Sequence, residues 1–327
     1  MKDVKNISQL NPLVSIVIPV YNGSNYLKQA IDSALNQTYS PVEILIINDG
    51  SADNGATESI AKSYGDRIKY LYKPNGGVAS ALNAGIRIAK GEYISWLSHD
   101  DLYLQNKIER QIAFLASLPS ADVVLYTDYE AVDANDNLIR TVSLDAVSKG
   151  DSRQAIIILL FNAAIHGCSL LLPKKCFTEV GFFDENLRTT QDYDLWFKLL
   201  KNGYEFVHMS EVLVITRWHR EQGSHTMHKI AQREIDELYV AAVDMLYDDI
   251  ERFPVATILE LIVDLRERRL GKAAKRMLTS IRSRNRVLYK QLNDQYADQL
   301  FNSRLKLMMA KPLGIVNSIM MRLGLRG

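Results

Sequence analysis

The chain predicts an α/β fold built on a mostly parallel sheet, and three features of its first ~120 residues predict it. Apolar, β-branched runs recur at 14–20, 42–47, 68–72 and 93–97. They are nearly continuous rather than alternating, the pattern of strands buried on both faces. Each stops at a turn rich in Asn, Gly, Ser or Pro, and a stretch with helical spacing follows. Four such β-turn-α units imply right-handed crossovers, with the connecting loops gathered along one edge of the sheet.

In order, Val14 to Val20 is the first strand, Tyr21 to Asn25 its turn, and Tyr26 to Gln37 an amphipathic helix. Val42 to Ile47 is the second strand; it stops at Asn48-Asp49-Gly50-Ser51, before a helix around Thr57 to Tyr64. Ile68 to Tyr72 is the third, followed by Lys73-Pro74-Asn75-Gly76-Gly77 and a helix from Val78 to Ala89. Tyr93 to Leu97 is the fourth and runs into Ser98-His99-Asp100-Asp101, with a helix over Gln105 to Leu118. Ala121 to Tyr126 reads as a fifth strand, and the turn Asp133 to Asn137 as part of a hairpin. Beyond it we expect a helix at Gln154–Phe161, a strand at Cys168–Leu172 and a helix at Asp192–Lys201. Short strands are expected at Phe206–His208 and Val212–Arg217. After His228 strand-like runs cease and Lys, Arg, Gln and Leu recur at helical spacing. We therefore divide the chain into a catalytic α/β domain, 1–225, and a basic helical C-terminal region, 226–327.

Bulk composition narrows the function classes. The 327 residues carry a formal net charge of +1, so the molecule as a whole makes no electrostatic claim on nucleic acid. Two cysteines, Cys168 and Cys176, suggest buried thiols rather than a disulfide framework. The polar start of the chain resembles no signal peptide, and no run of ~18 apolar residues would span a bilayer. A cytoplasmic location is the expectation. Residues 265–327 nevertheless hold fifteen Lys/Arg against three acids. That asymmetry suits either a peripheral contact with an anionic membrane, at the inner face of the plasma membrane, or a solvated helical cap. The apolar stretch Ile315 to Leu323 would dip into such an interface or pack in a homo-oligomer.

The chemistry-bearing positions sit where strands end. Adjacent carboxylates at Asp100 and Asp101 repel each other, and a divalent cation with a taste for oxygen ligands, Mg²⁺ or Mn²⁺, would relieve the clash. An Asp there would equally cap the helix that follows. Asp49 would accept a hydrogen bond from a bound base, or simply form a turn beside Gly50. Asn75-Gly76-Gly77 permits close approach of backbone to a ligand, yet it lacks the spacing of a dinucleotide or phosphate-loop fingerprint. Asp192 and Asp194 open a helix, where the macrodipole welcomes negative charge and where a proton acceptor would also be placed. Arg217-Trp218-His219-Arg220 ends a strand with a cluster of donors; arginine suits a pyrophosphate and a neutral imidazole suits a metal.

The order of these elements resembles glycosyltransferase family 2. The resemblance is carried by Val-Ser-Ile-Val-Ile-Pro-Val-Tyr-Asn at 14–22, Ile-Ile-Asn-Asp-Gly-Ser at 46–51 and Asn-Gly-Gly-Val-Ala-Ser-Ala-Leu-Asn-Ala-Gly at 75–85. Lys-Gly-Glu-Tyr-Ile at 90–94, the acidic pair at 100–101, Val-Gly-Phe-Phe-Asp-Glu at 180–185 and Gln-Asp-Tyr-Asp-Leu-Trp at 191–196 extend it over roughly 12–222. It implies a GT-A fold, that of nucleotide-diphospho-sugar transferases with a Rossmann-like sheet, here with a C-terminal α-helical extension. It also implies inverting transfer of a hexosyl or N-acetylhexosaminyl unit from a donor that is usually UDP-linked, assisted by Mn²⁺ or Mg²⁺. The acceptor would be a hydroxyl of a glycan or lipid-linked glycan in surface polysaccharide assembly. On that resemblance Pro19 and Tyr21 flank the base, Asp49 bonds the uracil imide, and the region Asn75 to Asn83, including Gly76, contacts the nucleotide. Asp100 is the metal-binding acid, His219 completes the metal or pyrophosphate shell, and Asp101 lies near the donor sugar. Asp192 is the base that deprotonates the acceptor.

The chain departs from the family pattern at Ser98, where the first acid of the usual Asp-x-Asp would stand, with His99 in its middle position and Gln191 where Glu is frequent. Ser98, His99 and Arg217 are therefore carried as donor-site candidates that would supplement or replace metal ligation. Two other readings stand beside transfer: a nucleotidyltransferase, and a sugar-nucleotide-binding protein that has lost activity. The first lacks a Gly-rich, Lys/Arg-bearing loop after the first strand, and the second sits poorly with the presence of both Asp100 and Asp192.

Overall fold

A computed structural model describes residues 11–144, 165–222, 227–245, 258, 261–263, 265 and 270–292. The expected helix at 154–161, the boundary at 225/226 and the apolar stretch 315–323 lie outside the described residues. Two compact units divide the chain, Met1–Leu238 and Tyr239–Gly327.

In the first unit, strands β1 (Val14–Val20), β2 (Val42–Asp49), β3 (Lys69–Lys73) and β4 (Tyr93–Trp96) alternate with helices α1 (Leu27–Leu35), α2 (Ala56–Lys62) and α3 (Val78–Ile88). The sheet order is β3-β2-β1-β4-β8, where β8 is the two-residue strand Leu172–Pro173. The four long strands pair in parallel and β8 runs antiparallel to β4. All seven residues of β1 are buried, as its unbroken apolar run requires of a central strand covered on both faces. Glycine makes one close approach possible: a Cβ at Gly85 of α3 would lie 2.4 Å from Val17 Cγ1.

A second sheet, in the order β5-β9-β6-β7, is built from β5 (Leu102–Tyr103), β6 (Val123–Val132), β7 (Leu138–Val142) and β9 (Glu205–Arg217). The expected hairpin is present, with β6 and β7 antiparallel around Asp133–Asn137. Three expectations are corrected. Phe206–His208 and Val212–Arg217 are parts of one strand, β9, which keeps pairing with β6 through register shifts at Thr127–Tyr129. Cys168–Leu172 is a strand only at its end: Gly167–Ser169 forms a 3₁₀ turn, Leu171 bridges Leu125 of β6, and Leu172 and Pro173 pair with β4. After Asp101 the chain first makes β5, and helix α4 starts only at Lys107 and ends at Ala116. Two further helices follow, α5 (Cys176–Glu179) and α6 (Gln191–Lys201).

Helix α7 (His228–Met245) crosses the division between the two units. The second unit contains α8 (Gly271–Arg284), whose Ala273, Ala274, Met277 and Ile281 are buried, and an ion pair of Arg276 with Asp244 at 2.7 Å. No helix among the described residues is long and apolar enough to cross a membrane. Cys168 and Cys176 are both free and buried.

Candidate active site

The C-terminal ends of β1, β2 and β4 and the turns after them converge on one cavity of about 650 Å³. Open α/β sheets place ligands at this edge, and the volume falls within the range of small-molecule sites. Pro19, Tyr21, Asp49, Asn75, Ser98, His99, Asp100 and Asp101 line it, as do Trp96, His166, Arg188 and Gln191.

At one end, Asp49 organises the β3–α3 turn. Its Oδ1 accepts Lys73 Nζ at 2.6 Å, and its carboxylate accepts the N–H groups of Gly76 at 3.0 Å and Gly77 at 2.7 Å. Asn75 Nδ2 donates to the Asp49 carbonyl. Gly77 has φ +88°, a conformation that L side chains seldom adopt, so the two N–H groups reach the carboxylate only on a glycine-built turn. Gly76 thus meets Asp49 through its backbone. Asn83 lies inside α3, buried, with its amide spanning Phe183 and Glu185: it donates to the Phe183 carbonyl and to Glu185, and accepts the Phe183 N–H.

At the other end stand the acids. Asp100 Oδ2 is 2.9 Å from His219 Nε2. Burial alone would push Asp100 up, but the His219 bond and the charge field of His99 hold its carboxyl below the ordinary range. Asp101 is raised to about 6 by burial and by the neighbouring Asp100 charge. Its Oδ1 accepts the Arg217 N–H at 2.9 Å and its Oδ2 accepts the Cys168 thiol at 3.2 Å. His99 is pushed down, mainly by burial. Its ring fits because position 23 is glycine: a Cβ there would lie 2.5 Å from His99 Cδ2.

Arg217 is placed differently from a free phosphate-binding cation. It is 1% exposed, and its guanidinium donates to the Asp100 carbonyl, Gln29 and Asp136 while lying over the Tyr26 ring. Its contribution is to fix the Asp100 backbone. The Arg or Lys that lines the cavity among the described residues is Arg188, which sequence reasoning did not single out. It comes from the turn before α6, and a Cβ on Gly77 would lie 3.4 Å from its Nη1.

Asp192 sits in the first turn of α6, beside the cavity-lining Gln191. Desolvation pushes it up to about 6, against backbone hydrogen bonds and a smaller electrostatic interaction with His166, which lower it. A carboxylate so tuned is ionised at neutral pH yet a better proton acceptor than a solvated one.

Two sets of side chains bear on metal binding. Asp100 Oδ2 and His219 Nε2 form a hydrogen-bonded pair 2.9 Å apart, and both atoms would be within reach of one divalent ion once the proton between them is displaced. Asp101, His166 and Cys168 form a second set, with ligand atoms within 4.8 Å of one another. There His166 Nδ1 accepts the Cys168 N–H, which leaves the ring proton on Nε2, and burial holds the Cys168 thiol protonated. An ion in that set would have to displace both protons; as folded, it is a hydrogen-bonded cluster.

Residues 15–169 match the model of the family described as "Glycosyl transferase family 2". A protein of Rickettsia typhi, called an uncharacterized glycosyltransferase, is 51% identical over 217 residues, covering 66% of this chain and 67% of its own length. The chain belongs to glycosyl transferase family 2. A longer relative from Rickettsia felis is 53% identical over 214 residues, 65% of this chain but 35% of its own length, so the chain spans about a third of that protein. Among solved structures, S. aureus TarS 1–349 in complex with UDP-GlcNAc aligns with a TM-score of 0.57 at 16% identity, covering 88% of this chain and 92% of its own. Mannosyltransferase PcManGT from Pyrobaculum calidifontis, in complex with GDP-Man and Mn²⁺, aligns with a TM-score of 0.57 at 15% identity, covering 99% and 87%. At such identities the likeness speaks for the fold, which is GT-A.

Proposed function

We propose that this chain transfers a sugar from a nucleoside-diphosphate donor, UDP-linked first among the candidates, to a hydroxyl of a glycan or lipid-linked acceptor. The observation that carries the reading is one cavity with the Asp49-organised turn at one end and the Asp100–His219 pair at the other, beside Asp192. Membership of the family, and neighbours solved with UDP-GlcNAc and GDP-Man, support it.

In this reading the nucleoside lies between Tyr21 and the Asp49 turn, and the diphosphate lies toward Asp100, with Arg188 as the facing cation. Asp192 takes the acceptor proton as the acceptor oxygen attacks the anomeric carbon from the face opposite the diphosphate. The new C–O bond forms while the bond to the phosphate oxygen breaks, its electron pair leaving with the nucleoside diphosphate, so configuration inverts. A Mg²⁺ or Mn²⁺ held by Asp100 and His219 would supply positive charge against that leaving group. The basic residues of 265–327 support a further part of the proposal, contact with an anionic surface near a lipid-linked acceptor.

Calorimetric titration of UDP, with and without Mn²⁺, tests the donor site. We expect binding that strengthens with Mn²⁺ and loses that gain in Asp100→Ala. Failure of UDP, GDP and the other nucleoside diphosphates to bind at all would overturn the reading.

A further inference from the structure

The turn that delivers Arg188 and Asp192 is held by a residue from outside the family match. Glu234 lies on α7, well beyond residue 169, and is 9% exposed. Its Oε1 accepts the Arg188 N–H at 2.8 Å. Its Oε2 accepts the Thr189 N–H at 2.9 Å, the Thr189 hydroxyl at 2.7 Å and the Thr190 hydroxyl at 3.3 Å. One carboxylate therefore takes four donors from three consecutive residues.

Those residues matter for what they carry. Thr190 is the N-cap of α6, and its carbonyl accepts the Asp194 N–H at 3.0 Å. The Thr190 side chain does not cap that helix, its hydroxyl being turned to Glu234 instead. Asp192 follows two residues later, and Arg188 and Thr189 line the cavity. The donors also hold the Glu234 carboxyl below its ordinary range, although burial alone would push it up, so it is ionised at neutral pH.

We propose that Glu234 is a positioning residue for transfer, clamping the Arg188–Thr190 turn so that Asp192 meets the acceptor and Arg188 meets the donor. This rests on the transfer reading above. Glu234 does not touch the reacting atoms; it acts through the turn. A misplacement of about 1 Å at a reacting group can cost about 100-fold in rate, which sets the scale of the expected effect.

The test uses Glu234→Gln, which keeps the shape but replaces one acceptor oxygen by a donor, with Glu234→Ala as a second variant. Amide hydrogen exchange over 187–194 reads the clamp without turnover. Exchange at least about tenfold faster in Glu234→Gln, in protein that melts cooperatively, is expected; unchanged exchange would overturn the clamp. Release of UDP from UDP-GlcNAc, with water or added glycan as acceptor, then reads positioning. We expect kcat to fall about 10- to 100-fold and its acid limb to move to lower pH as water reaches Asp192. UDP affinity measured by calorimetry should fall, through Arg188, by far less than kcat, since Asp49 and Asp100 belong to other turns and keep their contacts. A kcat and acid limb equal to wild type would overturn the positioning role, as would a loss of UDP binding in step with kcat, the mark of general destabilisation. If wild type releases nothing from any nucleotide sugar, the transfer reading falls and takes the positioning role with it, while hydrogen exchange still decides the clamp.

Discussion

Asp49 gives the sharpest quantitative expectation. Its side chain is buried, and its two oxygens take Lys73 Nζ at 2.6 Å and the N–H groups of Gly76 and Gly77 at 3.0 and 2.7 Å. Asp49→Asn keeps one acceptor oxygen, turns an NH₂ toward a backbone N–H, and removes the charge opposite Lys73. Each hydrogen bond to an ionised group contributes roughly 1.5–3 kcal/mol, and a partly exposed ion pair adds about 1 kcal/mol or less. Losing one such bond and the pair amounts to about 2–4 kcal/mol. If the loss falls on global stability, melting should drop by roughly 4–16 °C, taking about 2–4 °C per kcal/mol for a unit of this size. If the turn loosens locally instead, the loss appears in nucleotide affinity, and 2 kcal/mol is about 30-fold in Kd. Scanning calorimetry and UDP titration on the same protein divide the two. A variant with unchanged melting and unchanged UDP affinity would refute the assignment of Asp49 as the organiser of this turn.

Two further outcomes follow from the site. Burial raises Asp192 to about 6, and the ionised form is the proton acceptor, so transfer should be full above that pH and fall about tenfold per unit well below it; a flat rate profile between pH 4.5 and 8 would contradict this. A Cβ at Gly167 would lie 2.2 Å from Trp96 Cζ3, so Gly167→Ala should cost about 1–3 kcal/mol and perturb the Trp96 wall of the cavity. Gly271→Ala, whose Cβ meets nothing within 4 Å, is the matched control and should melt within about 2 °C of wild type.

The central sheet was legible because its inner strands β1, β2 and β4 are largely buried and so read as unbroken apolar runs ending in turn residues, whereas the edge strand β3 is partly exposed. β1 and β2 are of this kind, and the acids that end β2 and β4 lie on the cavity as their positions implied. The second sheet was harder to read. β5 is two residues long, too short for any period, and β9 is interrupted by Ser210-Glu211, which reads as a turn but is absorbed by register shifts against β6. Cys168–Leu172 is apolar enough for a strand, yet the Ser98 N–H bonds the Cys168 thiol and Gly167 packs on Trp96, so the segment is spent on the site. Arg217 shows the limit of motif reading: its residue type suits a diphosphate, but only the fold reveals its guanidinium already committed to Asp100, Gln29 and Asp136. Glu234 had no local signal at all, because the turn it holds lies 44–46 residues earlier in the chain.

The most direct test of the central claim is a comparison of wild type with Asp192→Asn on a panel of nucleotide sugars, UDP-GlcNAc and GDP-Man among them, with Mn²⁺ present. Released nucleoside diphosphate gives the rate, and NMR of the product gives the anomeric configuration. The account predicts that wild type releases nucleotide from at least one donor with inversion, and that Asp192→Asn loses about 1,000-fold in rate, within the range of about 100- to 10,000-fold for removing a general base, while binding the nucleotide as tightly as before. Equal rates for the two proteins, or a product of retained configuration, would contradict it.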